Sequence, residues 1–146
     1  MGMLTKTIIV ALKKDETILG LLGVPGTGHG AARIAAAPIQ GSYALNKLTT
    51  TMIIVGTVFG ETEETGYEHG ILTIEIYIKD TQTDPVKRVA DIAARIIALL
   101  DLKGSQLNDS YTSTVYRLRK TGFDPGYDAT YQCEFGILSF EFFIKK

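Results

Sequence analysis

The sequence predicts an α+β fold: a mostly antiparallel β-sheet, two main α-helices packed on one of its faces, and a long β-hairpin. Three observations carry this. Residues 70–80 (GILTIEIYIKD) and 136–146 (GILSFEFFIKK) are near copies that alternate with the period of a strand. Residues 84–100 carry an apolar stripe at helical spacing behind a capping signal. The order helix, glycine loop, strands, helix, strands lets helices cover one face of a sheet.

In the first copy Leu72, Ile74, Ile76 and Ile78 alternate with Thr73, Glu75 and Tyr77. In the second, Leu138, Phe140, Phe142 and Ile144 alternate with Ser139, Glu141 and Phe143. β-Branched and aromatic residues suit such a pleated, half-buried surface. We read the copies as two strands of one antiparallel sheet facing the same helices. A duplicated unit is the weaker reading, because the residues upstream of the copies do not match. The outward faces are not fully polar, since Tyr77, Ile137 and Phe143 lie there; an exposed face of this kind implies a partner.

The 146 residues suit one domain, 1–146, and a hydrophobic content of 45% is enough for a core. The net charge of −1 argues against a general nucleic-acid or polybasic membrane binder. The single cysteine, Cys133, excludes an intramolecular disulfide and reads as a buried structural thiol. No apolar run approaches the roughly 18 residues that cross a bilayer. Lys13, Lys14 and Asp15 interrupt the N-terminal apolar stretch, which leaves no signal-peptide layout. The expected compartment is a reducing cytoplasm.

Taken in order, residues 3–14 form the first helix, with Leu4, Ile8, Ala11 and Leu12 on one stripe. Asp15 caps a short second turn through Leu22, which Gly23 ends. Residues 23–32 (GVPGTGHGAA) have the glycine spacing of a phosphate-binding loop. His29, however, stands where the phosphate lysine belongs, and Gly30 where the magnesium hydroxyl belongs. The stretch therefore reads as a glycine loop that orders against a partner. Arg33 to Ala35 make a short edge strand ending near Pro38, and residues 39–48 a loop. Thr49 to Phe59 are the next strand, with Gly56 as a bulge. Glu61, Glu63, Glu64 and Glu68 then line an acidic hairpin tip that leads into the first copy.

Asp84 and Pro85 open the clearest helix as N-cap and first residue. Its stripe is Val86, Val89, Ala90, Ala93, Ile96, Ile97 and Leu100, and Gly104 is its stop signal. Residues 111–121 make a further strand with a basic cluster, Arg117, Arg119 and Lys120. Asp124-Pro125-Gly126 predicts a turn. The final strand starts near Asp128, with Gly136 as a bulge and two terminal lysines blunting an apolar edge.

No catalytic signature appears. His29 and His69 have no partners at metal-ligand spacing, and there is no nucleophile elbow. The reading is a non-enzyme with no cofactor and no metal. Glu61, Glu63, Glu64, Tyr77, Arg117, Arg119 and Phe143 are the candidate interface residues.

The layout resembles the tail-terminator or tail-completion proteins of long-tailed bacteriophages. The resemblance runs over nearly the whole chain: a helix ending in Leu21-Leu22-Gly23, a glycine loop to Arg33-Ile34 and Pro38, and an extended strand pair. It continues with the Asp84-Pro85 helix, a Thr/Tyr/Arg strand, Asp124-Pro125-Gly126 and a final alternating strand. The acidic 49–80 hairpin and the Thr51-Met52-Ile53-Ile54-Val55 run depart from it. The resemblance implies a virion protein of the tail or neck, assembled in the host cytoplasm. Its partners would be copies of itself in a ring, taken as a hexamer, the tail tube protein and the head connector. DNA would pass through the lumen without specific binding, and no membrane would be involved. Glu61, Glu63 and Glu64 motivate the expectation that the acidic tip faces the channel or the tube. A head-closure protein or a tube subunit is the alternative within the same particle.

Overall fold

The computed structural model describes residues 3–22, 33–36, 51–62, 67–103 and 114–145. In chain order these form α1 (Met3–Lys13), α2 (Glu16–Leu21), β1 (Ile34–Ala36), β2 (Thr51–Thr62), β3 (Tyr67–Lys79), α3 (Pro85–Leu100), β4 (Thr114–Asp128) and β5 (Cys133–Lys145). The strands make one sheet in the order β1-β2-β3-β5-β4, parallel only between β1 and β2. The fold is α+β, as the sequence predicts.

The two near-copies are direct neighbours. Thr73 lies opposite Ser139, its own equivalent, so Leu72 faces Phe140 and Ile74 faces Leu138. The repeat thus pairs with itself about a local twofold. The β2–β3 hairpin is also present, in register from Thr51 opposite Ile78 to Phe59 opposite Gly70. Gly56 pairs regularly with Thr73 and makes no bulge; the irregularity falls between Phe59 and Thr62.

Alternation sends Ile53, Val55, Leu72, Ile74, Ile76, Ile78, Leu138, Phe140 and Phe142 into one core with the three helices. α1 contributes Leu4, Ile8, Ile9 and Leu12, and its Thr5 hydroxyl lies 2.9 Å from that of Thr57 on β2. Asp15 caps α2 as expected, accepting from the Ile18 N–H at 2.9 Å. The same carboxylate takes Arg95 of α3 at 2.7 Å. The Arg95 hydrogen bond holds the Asp15 carboxyl below its ordinary value, against the opposing effect of burial. Arg88 donates to the Leu21 carbonyl, so α3 grips both ends of α2.

α3 presents Val89, Ile92, Ala93, Ile96 and Leu100. This stripe is rotated from the predicted one: Val86 is 64% exposed and Ala90 is exposed, while Ile92 is fully buried. The contact line follows β3 and β5, on which the helix packs. Asp84 occupies the N-cap position, but its backbone is left-handed (φ 47°) and its side chain makes no capping bond. A following proline disfavours right-handed helical backbone at residue 84. The helix ends with Leu102 in a left-handed conformation (φ 60°), its N–H donating to Leu118 at 2.8 Å. Gly104, the glycine stretch 23–32, residues 39–48, Thr49 and Thr50 lie outside the described residues.

Asp124-Pro125-Gly126 is not a turn. It continues β4, opposite Ile137, Gly136 and Phe135. β4 is an edge strand, where a proline costs no ladder bond on its outer side. The reversal comes at residues 129–132, where Asp128 accepts from the Thr130 and Tyr131 N–H groups at 2.9 and 3.1 Å and Gln132 takes φ 54°. The final strand therefore starts at Cys133, later than Asp128. Gly136 pairs in register on both sides and is not a bulge. A β-carbon there would stand 2.6 Å from Phe123 and 2.7 Å from Val89, so the glycine permits close helix–sheet packing. β5 lies between β3 and β4 and is not the edge strand that the sequence predicts.

The edge on β4 is guarded otherwise. Register shifts fall at Val115–Arg117 and Lys120–Gly122. Leu118 O is taken by Leu102, and Lys120 N donates to Asp101 Oδ1 at 2.8 Å.

Candidate interface on the open face of the sheet

The alternation that fills the core turns a second set of side chains the other way. Across β3 and β5 these are His69 beside Phe143, Ile71 beside Glu141, Thr73 beside Ser139, Glu75 beside Ile137 and Tyr77 beside Phe135. β4 adds Arg117 beside Phe143, Arg119 beside Glu141 and Asp124 beside Ile137. Ile71 is 51% exposed on this face.

Three of the predicted interface residues meet at one end. The Phe143 ring stacks on His69 with centroids 4.5 Å apart and planes 9° from parallel. The Arg117 guanidinium lies over the same ring, 5.6 Å from its centroid, within cation–π range. Arg119 reaches Glu141 at 2.6 Å, and His69 Nε2 lies 4.0 Å from the same carboxylate. Arg117, Arg119 and Lys120 are exposed. Arg117 and Arg119 share the open face with these planar rings, held by strand backbone, whereas Lys120, opposite Phe140, stands on the helix side.

Tyr77 belongs elsewhere. It is eight residues along β3 from His69, about 27 Å at the rise of a strand. Its ring tilts at 43° against Phe135, 6.3 Å away, and its hydroxyl donates to Glu75 at 2.7 Å. Burial, reinforced by Glu75, raises its pKa far above the usual phenol range, so the phenol stays protonated. Phe135 leans over Gly126, where a β-carbon would stand 2.5 Å from the ring tip. Nearby, Tyr127 donates to Asp80 at 2.7 Å and Lys79 to the Tyr131 carbonyl at 2.8 Å, which fastens the β4–β5 turn to the end of β3.

Glu61 lies on β2, one residue before its end at Thr62; Glu63 and Glu64 lie outside the described residues. Thr62 pairs with Glu68, next to His69. The hairpin end and the basic, aromatic end are therefore the same end of the sheet.

Sequence reasoning left out His69 and Glu141. Pairing the two copies antiparallel about Thr73 and Ser139 would have placed both beside Phe143 and Arg119.

Cys133 is fully buried, and burial foremost pushes its thiol up to about 11. Among the described residues no group of three or more His, Cys, Asp or Glu is placed to hold a metal ion, and no helix is long and apolar enough to cross a membrane.

No family model matches the sequence, and no curated protein matches it. Among solved structures it is similar to a chain described as "Virion of native gene transfer agent (GTA) particle". The TM-score is 0.72 at 12% identity, over 98% of this chain and 95% of that chain. Likeness at that identity shows a shared fold.

Proposed function

We propose that this protein is a structural component of a phage-like particle, and within that class a tail terminator. It forms a ring at the head-proximal end of the tail tube, stops tube polymerisation and offers a surface to the head connector. The role is structural rather than enzymatic. One observation carries the reading: end-to-end likeness, over 98% of this chain and 95% of that one, to a chain of a virion particle. The open face gives this reading a physical basis. Among the described residues the β4 edge is guarded, whereas the face presents exposed Ile71, stacked rings and exposed arginines, the kinds of side chain that anchor interfaces. A heterologous contact closes into a ring when the rotation per subunit suits it.

The test is the mass and shape of the purified protein, by light scattering and negative-stain images, with and without tail tubes. A closed ring, alone or only on tubes, is the expected result. Open tubes of the protein itself would replace the terminator with a tube subunit. A monomer indifferent to tail tubes would sink the reading.

A further inference from the structure

The open face of the sheet is built in rows, and the rows are complementary about their middle. The middle row is Thr73 beside Ser139, with Gly122 of β4 next to them. Two residues along β3 on one side stand Ile71, Glu141 and Arg119; two residues along on the other stand Glu75, Ile137 and Asp124. The outer rows hold His69, Phe143 and Arg117 at one end and Tyr77, Phe135 and Gly126 at the other. Rings therefore lie at both ends, equally far from a small, uncharged middle. Charge is distributed the opposite way. One end has two arginines against the single carboxylate Glu141, which pairs with Arg119; Arg117 has no ion pair among the described residues. The other end has Glu75 and the exposed Asp124, likewise without an ion pair among the described residues. Past Tyr77, Lys79 and Asp128 are taken up by the β4–β5 turn.

We propose that two copies of this chain pair through these faces, about a twofold axis that crosses the strands at Thr73 and Ser139. Such an axis reverses the strand direction and keeps each strand over its own counterpart. It lays the His69–Phe143 row of each copy over the Tyr77–Phe135 row of the other, ring over ring. It sets Arg119 over Asp124, and symmetry makes this contact twice. Laying the sheets together with their strands in the same direction would bring basic end to basic end and acidic end to acidic end. Packed sheets lie about 10 Å apart with strand directions within about 30°, a gap that arginine side chains span. The rows run about 27 Å along three strands that span about 14 Å, a footprint of about 400 Å² per copy. That is the low end for a specific interface, so the pair is weak, with a Kd in the micromolar range or weaker. A weak pair covers the face in free solution and releases it to a stronger partner. The inference stands apart from the ring reading above.

The test is sedimentation equilibrium of the full chain at low salt, up to about 1 mM, with the variants Asp124→Arg and Arg119→Asp. Wild type is expected to approach the mass of a dimer as concentration rises. Each variant alone is expected to pair at least about tenfold more weakly, since like charges then meet twice. An equal mixture of the two is expected to recover wild-type pairing, because Arg meets Asp at both contacts. Circular dichroism melts check folding; if Arg119→Asp fails beside Glu141, Arg117→Asp takes its place. Ser139→Cys, on the axis, is expected to link to its own counterpart through a bismaleimide of about 10 Å. The native Cys133 is fully buried and leaves the wild type unlinked. A chain monomeric at every concentration would overturn the pair, as would variants that pair like the wild type or a mixture that fails to recover. Association in which Ser139→Cys never links to itself would make the contact heterologous and overturn the twofold. A chain that stays paired beside tail tubes and forms no ring sinks the functional reading and leaves the pair. One that rings on tubes but is monomeric in free solution sinks the pair alone.

Discussion

The two faces of one pair of strands differ more than any two regions of the chain. On the helix side of β3, Leu72, Ile74, Ile76 and Ile78 are all fully buried. On the other side, interleaved with them, stand Ile71, Thr73, Glu75 and Tyr77, half-buried or exposed. β5 repeats the contrast, with Leu138, Phe140 and Phe142 inside and Ile137, Ser139, Glu141 and Phe143 outside. The inner set is held by volume: an apolar residue of similar shape would serve. The outer set is held by pairs of defined chemistry, Tyr77 with Glu75, His69 with Phe143 and Arg119 with Glu141. Stability thus resides on one face, and the other is left to determine what the protein meets.

The largest effect that would test this division comes from two substitutions on one strand. Ile74→Asp should prevent folding, because an unpaired buried carboxylate costs more than about 4 kcal/mol out of a total of about 5–15. Ile96→Asp on α3 should do the same. Ile71→Asp, three residues from Ile74, should cost at most about 1 kcal/mol. Urea unfolding of the three variants decides it; a soluble, cooperatively melting Ile74→Asp would break the comparison.

Two glycines offer a finer test. Gly136→Ala drives a methyl group into Val89 and Phe123 on the packed side, with an expected loss of about 1–3 kcal/mol. Gly126→Ala meets only the tip of the Phe135 ring on the open side, which can swing away, for a loss below about 1 kcal/mol. Equal losses in thermal melts would mean that the open face is packed as firmly as the core.

Asp15→Asn keeps the α2 capping acceptor and removes the charge that holds Arg95. The loss at pH 7 should be about 1 kcal/mol, modest because Arg95 is partly exposed. The sign follows from the lowered pKa of Asp15. Its contribution is fully present above the ordinary carboxylate value of about 3.9 and disappears as pH falls through the lower folded value. Wild-type and variant stabilities measured from pH 7 to pH 2 should converge at the acid end. The smallest effect is expected for Arg119→Ala, within about 0.5 kcal/mol in stability, since exposed ion pairs contribute little. A larger loss would make the open-face pairs part of what holds the fold.

Long alternating runs were legible because burial on one face leaves a period-two record, and the repeat showed that its two copies share a sheet. Local signals were overruled where long-range pairing competed with them. Asp124-Pro125-Gly126 has turn chemistry, but at the sheet edge it runs straight opposite Phe135, Gly136 and Ile137. Gly136 looked like a bulge because a sequence shows a missing side chain and not the Val89 and Phe123 that fill its place. Ile92 was left out of the α3 stripe because the apolar residues of that helix cover more than one face, and only docking on β3 and β5 selects the line. At the candidate interface, Arg117, Arg119 and Phe143 were legible as outward residues. Their meeting with His69 was not, because it depends on the register between strands. Tyr77 shares their face but not their end of it.

The self-pairing of the repeat bears on how the chain finds its fold. β2–β3 and β4–β5 are hairpins whose strands are close in sequence, and such units form in about 1–10 μs. The seam between them joins Thr73 to Ser139, 66 residues apart, across α3. Closing that long loop is the entropically expensive event, and it should set the refolding rate. Substitutions along the β3–β5 seam are then expected to slow refolding, whereas those near the hairpin ends should mainly speed unfolding. Stopped-flow chevrons of Thr73 and Thr130 variants would tell the two apart.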